Sequence, residues 1–388
     1  MRLLLITHCG VTGGTGIRAA ALGQCLVQLG HEVHLIARND QDRWRIRRRN
    51  VEGVELYESP LGRGGRWAAQ EAMPWDFLMR FLIAWRLPRF DAVICFDMLP
   101  NNAGVYSYIR WRDRCLAVVD WADLWTEGGI LYEVNRPEWM RRWSHRLEID
   151  SKKQADGVCP TSKWLYRKAR GLGIGEERLL YLPFGADADG IQPKDRNQAR
   201  ARIGLGLDWK IVGGLGSTGG DPVLVKAVAP LLQRDPLARL LAIGPAQARS
   251  RELAHQLGVG HQLLQPGFQD PKGALNDYLA SVDVFAVAHA DEPNNWARGP
   301  LRVGAMMSAA RPLVSNRVGE LIELLEKNPI GLLAEDLEVD FSLKLEKLLQ
   351  DPQLAQEMGR NGRLLLDREH SWLSLAKKLD EFMARLRR

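Results

Sequence analysis

Twice along its length the chain runs a short apolar stretch into a glycine-rich loop and then a helix-patterned segment. This double opening limits what it can fold into. Arg2–Thr7 reads as a strand and Gly10–Gly16 as the loop. Ile17–Leu29 then carries apolar residues at helical spacing and stops at Gly30, a good helix terminator. Lys210–Leu215, the loop Gly213–Asp221 and a helix over 221–233 repeat the plan. Between and after these openings, strand-sized apolar runs alternate with helical segments, the pattern of βαβ units and parallel sheets. The reading is an α/β protein of two doubly wound, Rossmann-like domains, with ligands in the cleft at the carboxyl ends of both sheets.

Length agrees, because 388 residues suit two such cores better than one. The stretch Gly185–Leu207, rich in Gly, Asp and Pro, breaks the alternation and marks the junction. The expected division is therefore 1–190, 191–370, and a C-terminal helix over 371–388 that packs back on the first domain.

Composition excludes several classes. Hydrophobic residues at 46% with 26% charged belong to a globular chain. No apolar run approaches the ~20 residues of a membrane span, and the N-terminal block is too short for a signal peptide. The five cysteines have no metal-type spacing and read as buried, reduced thiols. The +6 net charge divides into 27 Lys+Arg against 23 Asp+Glu in residues 1–190 and 26 against 24 in the remainder. That is no nucleic-acid footprint. The expected location is cytoplasmic. Two local features stand out: five arginines between Arg43 and Arg49, and an amphipathic, cationic segment Pro74–Phe90 bearing Trp75, Trp85, Arg80, Arg86 and Arg89. The second suits peripheral contact with an anionic membrane face.

Four constellations could carry chemistry. Gly13-Gly14-Thr15-Gly16 opens the first helix and lets backbone amides approach a phosphate or sugar hydroxyl; a plain βα turn is the alternative. Asp120-Trp121-Ala122-Asp123 ends a strand, where carboxylates can bond sugar hydroxyls and aromatic rings can stack on a sugar face; helix capping by Asp120 or Asp123 is the alternative. Gly216-Ser217-Thr218-Gly219 follows the first strand of the second domain and suits a diphosphate on a helix N-terminus. Arg298 and Arg302 bracket a helix start at Pro300, where guanidinium groups can neutralise a leaving diphosphate. No metal site is suggested: there is no His pair at i, i+4, and Asp187-Ala188-Asp189 lies in the junction and reads as a turn. No cofactor is called for.

These segments resemble the retaining, family-4 glycosyltransferases of the GT-B fold. The likeness rests on Thr12–Gly16 with Gly30-His31-Glu32-Val33, on Pro160-Thr161-Ser162, and on Leu182-Pro183-Phe184-Gly185-Ala186-Asp187. It continues through Ala280-Ser281-Val282-Asp283-Val284-Phe285 and Ala305–Val314 to Ser371-Trp372. The resemblance implies sugar transfer from a nucleotide-sugar donor to a glycan, lipid-linked or small acceptor, with retention and without a metal. It implies a donor diphosphate on Gly216–Gly219, Arg298 and Arg302, an acceptor near Gly14, Thr15, Asp120 and Asp123, and catalytic roles for Asp123 and Arg302. The chain departs from the family at its chemistry. The family's two glutamates, with seven residues between them, fall on Ala297 and Ala305; its phosphate-binding Arg falls on Gly214, and its acceptor-side histidine on Ala122. A non-catalytic GT-B scaffold is the competing reading, and a sugar-nucleotide epimerase a third.

Overall fold

The computed structural model describes residues 1–42, 44–61, 74–132, 137–216, 221–270, 273–299 and 301–387. Two compact units emerge. The first comprises Met1–Phe184, Glu292–Gly299 and Trp372–Arg388; the second comprises Gly185–Asp291 and Pro300–Ser371.

The first unit is built on β1 (Arg2–Thr7), β2 (Glu32–Asn39), β3 (Arg47–Val51), β4 (Val54–Pro60), β5 (Ala92–Phe96), β6 (Leu116–Trp121) and β7 (Gly157–Pro160). Their order in the sheet is β3-β4-β2-β1-β5-β6-β7. β1, β5 and β6 are almost wholly buried, which is why they read as unbroken apolar runs. Every pairing is parallel except β3 with β4. That hairpin turns through Glu52 and Gly53, both at positive φ (51° and 88°), the backbone such a two-residue turn requires. The arginine cluster thus falls largely on an edge strand. Arg48 bonds Glu55 at 3.0 Å and Arg49 bonds Glu58 at 2.9 Å, charges that protect an open sheet edge rather than a footprint for a polyanion.

Helices α1 (Gly14–Gln28), α2 (Pro74–Arg86), α3 (Pro100–Asp113), α4 (Glu138–Gln154) and α5 (Lys163–Gly171) cover this sheet. The helix Trp372–Leu386 joins them: Asp380 meets His31 at 3.0 Å, and a Cβ on Gly157 would lie 2.7 Å from the Phe382 ring. The segment 292–299, placed by sequence in the second domain, packs in the first unit. Ser162 Oγ donates to the Ala297 carbonyl at 2.6 Å, Ala297 is fully buried in the first core, and Pro293 lies against Gly128.

The second unit carries β8 (Lys210–Leu215), β9 (Ala238–Ile243), β10 (Leu263–Gly267), β11 (Val284–Val287), β12 (Leu313–Asn316) and β13 (Gly331–Ala334). Its sheet is wholly parallel, in the order β10-β9-β8-β11-β12-β13. In each unit the first strand sits where the order reverses, β1 between β2 and β5, β8 between β9 and β11. The loop after that strand therefore stands at the topological switch point, where doubly wound sheets take their ligands.

Candidate active site

In the first unit the loop after β1 is set by close backbone approach. A Cβ on Gly16 would lie 2.0 Å from the Gly10 carbonyl oxygen, so no larger residue fits there. Gly14 faces open space and leaves the first turn of α1 accessible. Thr15 is buried, its Oγ1 donating to Asp97 Oδ2 at 3.5 Å.

One turn into α1, Arg18 is fully buried and grips Asp120 at the end of β6. Nε bonds Oδ1 at 3.0 Å and Nη2 bonds Oδ2 at 2.8 Å, while the carbonyls of Leu182 and Pro183 each accept at 2.7 Å. Asp120, expected to face a sugar, instead spends both oxygens on this guanidinium and is 1% exposed. The reason is geometric: a strand-end carboxylate beneath the first turns of a neighbouring helix meets what that helix presents.

Asp123 is different. Its side chain keeps a fifth of its surface exposed and lies 3.8 Å from Arg298 Nε, so the structure joins two residues the sequence assigned to opposite substrates. Burial raises the Asp123 carboxyl above the usual carboxylate range, against the pull of Arg298. Behind it Asp97, held at φ +57°, accepts from the Ala122 amide at 2.9 Å and the Asp123 amide at 3.4 Å. Burial first, then the neighbouring Asp123, pushes Asp97 well up. Glu148 pins the same loop by accepting from Trp121 Nε1 and the Trp125 amide, both at 3.1 Å, and from the Thr126 amide at 2.8 Å.

Two more groups close this end of the sheet. Arg80 of α2, read from sequence as a surface cation, is fully buried; it bonds Asp76 at 2.8 Å and the Thr7 carbonyl at 2.8 Å. His8, 6% exposed, stands edge-on to Trp125 at 4.9 Å with neither ring nitrogen hydrogen-bonded among the described residues. Burial, then Arg80 and Arg38, drives its pKa down to about 3, so it is neutral at physiological pH.

In the second unit Gly216 follows β8 at φ +79°, its amide donating to the Ile243 carbonyl at 2.8 Å. Ser217, Thr218 and Gly219 lie outside the described residues. Beyond them Asp221 caps the helix Pro222–Arg234 by accepting from the Val223 amide at 2.6 Å. Arg302 sits in the first turn of the helix Leu301–Ser308 and directs Nη1 to the Leu215 carbonyl at 3.5 Å. Its guanidinium therefore stands at the root of the glycine loop. Arg298 and Arg302 fall in different units. Among the described residues no cluster of His, Cys, Asp or Glu is arranged to hold a metal ion.

Two family models match the chain in the same order as the two units. A glycosyl transferase 4-like domain matches residues 13–185, and a glycosyl transferases group 1 domain matches residues 211–351. The chain belongs to the GT-B glycosyltransferases of the family-4 type. Among relatives, this glycosyltransferase is 31% identical over 290 residues to D-inositol 3-phosphate glycosyltransferase of Nocardia farcinica, a match covering 70% of this chain and 61% of that one. It shares its fold with sucrose-phosphate synthase of Thermosynechococcus elongatus (TM-score 0.79, 18% identity, covering 100% and 99% of the two chains). The same holds for Anabaena HepE solved in complex with UDP and glucose (TM-score 0.71, 16% identity, covering 99% of each).

Of the expected site residues of the glycosyltransferase, the structure pairs Asp123 with Arg298 and sets Arg302 beside Leu215 and Gly216. Sequence reasoning missed Asp97, Arg18 and His8. The position of Asp97 at the end of a buried strand was a visible signal; the partners of Arg18 and His8, far away in sequence, were not.

Proposed function

We propose that this glycosyltransferase binds the diphosphate of a nucleotide-sugar on the loop after β8, with Arg302 as the principal cation. The placement of the Arg302 guanidinium against Leu215, next to a glycine at positive φ, carries the reading. The UDP and glucose bound by the Anabaena neighbour agree with a nucleotide-sugar donor. In transfer, the bond from the anomeric carbon to the diphosphate breaks and its electron pair leaves with the diphosphate. Arg302 and the loop amides stabilise that developing charge. The acceptor hydroxyl forms the new bond and passes its proton to an oxygen of the departing diphosphate; Asp123, with its carboxyl raised above the usual range, orients that hydroxyl. Family-4 likeness supports retention at the anomeric carbon without a metal.

Isothermal titration calorimetry with UDP and GDP tests the donor site. Arg302→Ala is expected to weaken the preferred nucleotide by about 10- to 30-fold, the effect of losing one charge-assisted phosphate contact. A variant that binds as tightly as the wild type, or a wild type that binds neither nucleotide, overturns the reading.

A membrane-bound acceptor is favoured by one surface. No helix among the described residues is long and apolar enough to cross a membrane. Yet α2 exposes Trp75, Leu78 and Trp85, and Trp111 at the end of α3 is 77% exposed. Tyr108 links the two helices, its ring 4.8 Å from Phe81 and 6.5 Å from Trp111. With Arg80 buried, Arg86 and Arg89 remain as the exposed cations of this segment. Such a surface suits peripheral attachment to the inner face of the membrane. Flotation with vesicles containing anionic lipid is expected to carry the protein, and Trp85→Ser with Trp111→Ser to release it. Equal flotation of wild type and double variant removes the idea.

A further inference from the structure

In the first unit, the loop that follows β6 and carries Asp123 meets the first half of α4, and a pocket of about 330 Å³ lies between them. That volume is of the size that takes a small molecule. Two acids, Glu127 and Glu138, and two arginines, Arg141 and Arg142, line it. Their charges cancel, so the pocket is not built for an ion. Leu131, 5% exposed, gives it an apolar wall.

His145 reaches this pocket from α4 with its ring orientation fixed. Glu148, buried, accepts from the Thr126 amide at 2.8 Å and from the Thr126 hydroxyl at 2.5 Å. That hydroxyl has one proton, and the carboxylate takes it. Thr126 Oγ1 therefore accepts from His145 Nδ1 at 3.2 Å, so this ring nitrogen carries a proton. Nε2 is left to the pocket. It stands 3.6 Å from Glu127 Oε1, outside hydrogen-bond distance. Glu127 is held at φ +53°, an uncommon backbone for a residue other than glycine, and Lys168 pairs with its second oxygen. Two polar atoms set side by side with no bond between them call for a partner from outside. A hydroxyl serves both, because it donates and accepts. With balanced charges and an apolar wall around these atoms, the matching ligand is a neutral ring bearing hydroxyls.

We propose that this pocket binds a neutral sugar or polyol, whose hydroxyls bond His145 Nε2 and Glu127, and that this ring belongs to the acceptor. Asp123 lies three residues before Thr126, a span of at most about 11 Å of backbone. One loop thus holds both the group that orients the reacting hydroxyl and a wall of the pocket. The assignment to the acceptor rests on the reading of Asp123 given above; the sugar binding itself does not.

Saturation-transfer NMR on the full chain without nucleotide tests it, with methyl α-D-glucopyranoside, methyl α-D-mannopyranoside and myo-inositol as probes at up to about 50 mM. At least one probe is expected to bind, and His145→Ala to weaken that binding about tenfold. Two further variants separate ligand contact from support of the loop. The amide of His145→Gln reaches the Nε2 position and is expected to keep most of the affinity. His145→Asn restores only the bond to Thr126 and is expected to behave as His145→Ala does. The His145 side chain is 41% exposed, so these replacements leave the fold intact. No transfer to any probe, equal binding after His145→Ala, or rescue by His145→Asn rather than His145→Gln overturns the proposal. A wild type that binds a probe but neither UDP nor GDP removes the donor reading and leaves this binding standing.

Discussion

Asp120→Ala is expected to destabilise the protein by about 3–5 kcal/mol in urea unfolding followed by fluorescence. The magnitude follows from what is left behind. Arg18 has no exposed surface, and Asp120 is its only carboxylate partner within 4 Å among the described residues. Removing the carboxylate strands a buried cation whose other partners are two carbonyl oxygens and the Phe184 ring, 5.0 Å from its centre. The pair itself is not a large net gain, because both charges were taken out of water to form it. Replacing both residues together, Arg18→Met with Asp120→Leu, is therefore expected to recover much of the loss. This contrast separates the two accounts of the site. If Asp120 were a sugar ligand rather than part of the scaffold, the single replacement would lower activity with a stability change under about 1 kcal/mol.

The same residue shows where reading the sequence stops. The strand–glycine loop–helix openings, the alternation behind them and the switch-point loops follow from short-range chemistry: apolar runs, glycine at Gly10–Gly16, helix terminators. They are therefore visible in one dimension. The buried charges are not. Arg18, Arg80, Lys152 and Arg200 each sit in a helix, and local pattern assigns a charged helical residue to a solvated face. What buries them is a carboxylate, carbonyl or ring supplied from elsewhere in the fold. Arg18 waits for Asp120, 102 residues on. Lys152 has no hydrogen-bond partner among the described residues and rests 4.9 Å from the Trp121 ring. Arg298 makes the same point: the sequence sets it beside a diphosphate in the second domain, but its unit and its partner Asp123 depend on how 292–299 folds back. The family's glutamate position at Ala297 is likewise explained only in three dimensions. A carboxylate there would enter a packed apolar core, which this sequence fills with a methyl group.

His8 is expected to make the protein acid-sensitive from pH 6.5 downward, a window that opens above its carboxylates' ordinary titration. In the unfolded chain its imidazole titrates near 6.5; in the folded chain it is held to about 3. Between these values the unfolded state binds a proton that the folded state refuses, so stability rises with pH across the interval. The contribution is complete above pH 6.5 and is lost progressively as the pH falls toward 3. At pH 4 the loss amounts to about 3 kcal/mol. The raised carboxyls of Asp97 and Asp123 work in the opposite sense, losing stability as the pH rises through their folded pKa values. A single pH profile therefore mixes the two, and the informative quantity is the difference between wild type and His8→Phe. Phenylalanine keeps the edge contact with Trp125 and cannot titrate. The difference in unfolding free energy is expected to change by about 3 kcal/mol between pH 7 and pH 4, with the variant the less acid-sensitive. Parallel profiles for the two proteins would mean that His8 opens to solvent and takes up its proton without unfolding. In that case its burial beside the switch-point loop contributes nothing to holding the loop in place.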